Sequence, residues 1–365
     1  MKRLKTTVLA AAMALAAVPV RAASFEGLGF LSGTSQSFAY DVSADGSVVV
    51  GHSTASGFWE SEAFRWTAET GMVGLGFLPG QDNSRAFGSS ADGSVVVGDS
   101  GAVVVGDSGP EAFRWTAETG MVGLGFLPGD DSSRAYGISG DGSVIVGSSL
   151  VAGGPGWQAF RWTAETGIVG LGYLPGTDDS RARAASEDGS VVVGDSGNDA
   201  FYWTEETGMV SLGAGEARAV SPDGSVVAGD RFLWTAEAGR VATHMDWTED
   251  VSADGCVVVG AEASGSTGGV YAAVWTPAHG ARSLAEILRD DLGVELAGSY
   301  PQWAHAVSHD GTVIVGYTDG PGYGVEAYRA VIPEPATFTL LVLGMIAAGF
   351  LRVAAVWRWG EGVRL

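Results

Sequence analysis

Histidines, doubled carboxylates and tryptophans beside polar loops are the residues of this sequence that could do chemistry. His305 and His309 stand four apart, a spacing that on a helix would put two imidazoles on one face, where zinc could take them. They flank Ala-Val-Ser and lead into an Asp-Gly turn, and along an extended strand four residues span roughly 13 Å. That distance is too long for one ion, so no metal site is expected. The doublets Asp130-Asp131 and Asp178-Asp179 could serve a glycosidase only if a cleft held two carboxyls about 5 to 10 Å apart. No GxSxG, CxxC, HExxH or phosphate loop occurs, so neither a nucleophile nor a cofactor is marked. The expectation is a non-enzyme with no catalytic residue, no metal and no cofactor.

Binding has more to stand on. Trp59 and Trp157 lie in long, irregular connections, and Asp82, Asp131 and Asp178 each fall three residues ahead of Arg85, Arg134 and Arg181. Indole faces beside carboxylates can stack on and hydrogen-bond a sugar or a peptide, and binding residues concentrate on variable loops held by a rigid scaffold. Trp59, Trp157, Asp82, Asp131 and Asp178 are therefore the candidate ligand-binding rim. The recurring Asp and Arg are expected to pair locally and order each loop.

Those loops are positioned by a repeat. Asp-Gly pairs recur with aspartates at Asp45, Asp92, Asp141, Asp188, Asp223, Asp254 and Asp310, each followed by a Val-rich run ending in Gly. The nineteen residues EAFRWTAETGMVGLGFLPG occur twice without change, from Glu62 and from Glu111. One unit reads as four short strands, because Asp-Gly and Glu-Thr-Gly between β-prone runs are hairpin signals. About 47 residues of four strands is the size of a propeller blade. The repeats open at Phe25 on FEGLGFL, a fourth strand with no third before it, and the last repeat ends at EAYRAVI, a third strand with no fourth after it. The expected fold is all-β: a seven-bladed β-propeller of four-stranded blades closed by the N-terminal strand, with one short helix at SLAEILRDDLG and a C-terminal hydrophobic helix.

Bulk composition narrows the partners. The 365 residues carry a formal charge of −22, and lysine occurs only at Lys2 and Lys5. Nucleic acid is excluded, since phosphate binding needs a basic face. Cys256 is the single cysteine and can form no internal disulfide.

The two ends read as addresses. MKRLKTTVLAAAMALAAVPVRA has a basic start, a short apolar run and small residues before Ala22, as a signal peptide does, with cleavage expected after Ala22. The domains expected are 1–22 signal peptide, 23–332 propeller and 333–365 tail. Pro333-Glu334-Pro335, an apolar stretch and then Arg352, Arg358 and Arg364 resemble the PEP-CTERM sorting signal of Gram-negative bacteria, although the arginines are spread out where that family clusters them. This resemblance implies signal peptidase and an exosortase-like sorting enzyme as partners, exopolysaccharide as an associate, and membrane contact through the C-terminal helix. The location it implies is exported and membrane-tethered, then cell-surface or extracellular once the tail is processed. The repeats are similar to HAF repeats of bacterial extracellular proteins, through EAFRW and its relatives over Phe25 to Ile332. Together these imply a non-enzymatic interaction scaffold for extracellular polysaccharide or matrix. The alternatives are a glycan-active hydrolase or lyase on a propeller and a structural matrix protein with no discrete ligand.

Overall fold

The computed structural model describes residues 21–55, 60–102, 109–150, 156–264, 269–320 and 324–333. Residues Ala23–Ile332 form one compact unit, in which the described strands make seven antiparallel sheets of four. In the first blade these are Gln36–Val42, Val48–Thr54, Ser61–Thr67 and Gly71–Gly74, in that order across the sheet.

Local chemistry explains the hairpins. Ser43 Oγ donates to Asp45 Oδ1, which also accepts the Ser47 N–H, and the Val48 N–H donates back to Ser43 Oγ. The same Ser-x-Asp lattice recurs at Ser90/Asp92, Ser139/Asp141, Ser186/Asp188, Ser221/Asp223, Ser252/Asp254 and Ser308/Asp310. A side-chain oxygen that mimics a backbone turn is why these aspartates recur. They are turn formers.

The Val run is the buried second strand, and the Phe of AFRW is the knob between blades. Val48, Val50 and Ala63 of blade one pack with Ala86, Val96 and Phe113 of blade two. Phe64, Phe113, Phe160 and Phe201 are fully buried, each contributing about 2 kcal/mol by its removal from water. Polar stitches fix the angle between blades. Ser84 Oγ accepts the Ala63 N–H and donates to the Gly76 carbonyl, and Ser37 does the same for Ala327 and Gly29. Ser24–Gly27 pairs with Gly324–Val331, so the start of the chain lies in the last blade.

The first strands surround an axis. Each packs against the first strand of the next blade, and Gln36–Val42 packs against Tyr300–Val307 of blade seven. A belt of backbone hydrogen bonds joins the residues entering the Asp-Gly turns. Ala44 donates to Ala91, Ala91 to Gly140, Asp141 to Glu187, Glu187 to Pro222, Ala253 to His309, and His309 to Ala44. The belt skips the step from blade five to blade six, where Pro222 has no N–H to give.

Two expectations are corrected. No sheet is closed: every blade is an open four-stranded sheet with a first strand at the axis and another edge outside. The circle is completed by the pairing of the N-terminal strand Ser24–Gly27 with Gly324–Val331, by packing between first strands and by the belt. The second correction concerns the membrane. Among the described residues no helix is long and apolar enough to cross one, since a span needs about 20 apolar residues. The helical stretch is one α-turn, Leu284–Glu286, running into a π-turn, Ile287–Asp291, and its Leu284 and Leu288 serve the core. The expected C-terminal hydrophobic helix falls on residues 334–365, outside the described residues. Tethering by that helix, the membrane and sorting-enzyme partners and the tethered location all rest on those residues, and no described helix supplies a membrane span. Residues 1–20 of the expected signal peptide also lie outside the described residues.

Candidate functional site

The first strand of every blade carries one residue too many. Ala39 pairs with Gly51 and Asp41 with Val50, which leaves Tyr40 as the extra residue of a β-bulge. The same shift leaves Phe87, Tyr136, Arg183, Arg218, Glu249 and His305 extra in the other six blades. A bulge re-aims its side chain, and all seven line one cavity of about 400 Å³. Its walls continue to Ala44, Ala91, Gly140, Glu187, Pro222 and His309, at the rim of the Asp-Gly turns.

The glycine that ends each Val run makes the bulge possible. A β-carbon at Gly147 would collide with the Arg134 carbonyl, and one at Gly194 with the Arg181 carbonyl. Only a residue without Cβ lets the bulged backbone lean in that far.

The ring is divided by chemistry. Blades seven, one, two and three supply aromatic groups: the rings of Tyr40 and His305 lie 4.9 Å apart, those of Tyr40 and Phe87 5.5 Å, and those of Phe87 and Tyr136 6.1 Å. Blades four to six supply charge. Arg183 meets Asp195 at 2.6 Å and Glu216 at 3.0 Å, and Arg218 meets Glu216 at 2.8 Å, Asp230 at 3.2 Å and Glu249 at 3.4 Å. Trp303 Nε1 donates to Glu249 Oε1 at 3.2 Å. Burial raises the Glu249 carboxyl above its usual range, with Arg218 opposing.

Next to the ring lie two further carboxylates. Asp41 accepts from the Ser89 N–H at 2.6 Å and Oγ at 3.0 Å and from the Val42 N–H, joining blade one to blade two. Asp250 accepts from the Val307 and Val251 N–H groups, joining blade six to blade seven. Burial pushes Asp41 up to about 6 and Asp250 up to about 7 against these donors. The same desolvation, with Arg218 adding to it, holds His305 down to about 3.

The residues expected from sequence lie elsewhere. Trp157 opens a third strand with the Arg134 guanidinium 5.2 Å from its ring centroid and its own N–H bonded to Asp179. Asp82, Asp131 and Asp178 are exposed on the loops entering blades two, three and four, and none of them lines the central cavity. Trp59, Glu334 and Pro335 lie outside the described residues, whereas Ala22 and Pro333 are within them. The arginines pair across strands: Arg85 makes two hydrogen bonds to Asp99, and Arg134 approaches the same carboxylate at 3.3 Å. Among the described residues no group of three His, Cys, Asp or Glu could hold a metal. One sequence signal pointed to the bulge ring. The residue after the Ala of SRAF, SRAY and SRAR changes from blade to blade within a near-constant frame.

No protein-family model matches the chain, and no curated protein does. Among solved structures it is similar to an oligogalacturonate lyase in complex with manganese, at 13% identity and a TM-score of 0.50, over 86% of this chain and 97% of that one. It is also similar to a structure from a study of two prolyl endopeptidases, at 12% identity and 0.52, over 86% of this chain and 50% of that one. A putative TolB from Agrobacterium tumefaciens aligns at 15% identity and 0.41, over 81% and 90%. At such identities the first two likenesses are of fold alone.

Proposed function

We propose that this chain is a non-catalytic binding propeller, an interaction scaffold whose ligand is a glycan end or a similar small polyhydroxylated group seated in the central cavity. One observation carries the reading. Seven blades of one repeated pattern each deliver a side chain to one cavity, of five residue types in all, through a bulge present in every blade. Packing alone would favour one residue throughout, as it does in five of the seven blades for the Phe of AFRW, where blades six and seven carry Ala273 and Tyr328. A cavity of this volume suits a small ligand, with aromatic walls and a few placed polar groups. The similarity of EAFRW to HAF repeats fits a repeat scaffold of this kind.

Catalysis is the second reading, because Asp41 and Asp250 share the cavity and titrate near neutrality. Both carboxylates are already bonded by backbone N–H groups of two blades, which favours holding over proton transfer. Screening the full chain against a glycan array tests the first reading, and the absence of any bound glycan would overturn it. Release of reducing ends from a bound glycan would favour the second.

A further inference from the structure

We propose that the central cavity recognises its ligand through a protonated amine, held between Asp41 and Asp250 on the two blades flanking His305. The inference rests on the cavity being the binding site, and it names the group that binds there.

The cavity's charges are unevenly compensated. Arg183 and Arg218 face it, yet both are bound by Asp195, Glu216, Asp230 and Glu249. Asp41 and Asp250 face it too, and the donors they bond are Val42, Ser89, Val251 and Val307, none of which carries charge. Each carboxylate is thus desolvated without a counter-ion, and each raises its affinity for a proton to compensate. A cation placed between them would supply the missing charge.

Three further features fit an ammonium. His305 lines the same cavity, and its buried Nε2 has no hydrogen-bond partner. Its imidazole stays neutral far below pH 7, so it adds no positive charge and has a nitrogen able to accept an N–H. The electron-rich faces of Tyr40, Phe87 and Tyr136 attract cations. The other titratable groups facing the cavity are Glu187, Glu249 and His309.

Calorimetric titration of the full chain tests this with three probes at pH 7: glucosamine, glucose and butylamine. Glucosamine is expected to bind and glucose not, and butylamine shows whether an alkyl amine suffices. Amine affinity should fall about tenfold or more between pH 7 and pH 5, as Asp250 and then Asp41 take up protons. Asp250→Asn should weaken the amine with little change at pH 5, and the wild-type pH series keeps the test valid if that variant unfolds. Glucose binding as tightly as glucosamine would leave the cavity as the site and overturn the amine. An amine affinity flat in pH would overturn it equally. Failure of every probe, together with an empty glycan array, would remove the cavity reading itself.

Discussion

A β-carbon added at Gly51 would land on the carbonyl oxygen of Phe38. The same relationship holds between Gly98 and Arg85 and between Gly316 and Trp303, so one glycine per blade lets the first strand bulge and turn a side chain to the axis. Gly51→Ala is expected to cost about 2 kcal/mol by overpacking. Urea unfolding should show a lower midpoint, and ligand binding should weaken because Tyr40 loses its aim.

Arg218 lies between three carboxylates, Glu216, Asp230 and Glu249. Arg218→Met would leave Glu249 buried without its cation, at a cost of about 3 kcal/mol. The double variant Arg218→Met with Glu249→Gln should recover part of that loss. A double-mutant cycle by chemical denaturation reads the coupling directly.

Stability should depend on pH through His305. Its folded value, about 3, lies below the unfolded one of 6.5, so the unfolded chain binds more protons between these values. Its contribution is present above about pH 6.5 and is lost as pH falls towards 3. Asp41 and Asp250 act in the opposite sense. Their folded values are raised to about 6 and 7, so their contribution is complete below about pH 4 and is lost as pH rises through those values. His305→Phe removes the first effect, so the change in stability from pH 7 to pH 5 should be about 2 kcal/mol more favourable in the variant than in the wild type. Denaturant midpoints at the two pH values check this.

Ligand binding should follow the bulge ring and leave the outer rim aside. Tyr136→Ala and Tyr40→Ala are each expected to weaken the ligand by about tenfold, the scale of one lost stacking contact. Trp157→Ala should leave affinity unchanged, because its ring is already covered by Arg134. The reverse pattern in a titration series would return the site to the irregular loops.

Much of the architecture was legible because its causes are local. Asp-Gly with a Ser two residues before the Asp specifies a tight hairpin wherever it occurs, and a Val run followed by AFRW specifies a buried strand and an interblade knob. Counting such units was enough for seven four-stranded blades. The amino-acid sequence could not state what depends on register between strands. Arg85 meets Asp99, fourteen positions along the chain and directly across the sheet, while local spacing pointed to Asp82. The bulge that aims Tyr40, Arg183 and Glu249 at one axis exists only once a carbonyl rests on a neighbouring strand's glycine. The cavity requires seven such strands to meet in a circle, so tertiary packing placed the candidate site beside the uniform Asp-Gly rim and not among the variable loops.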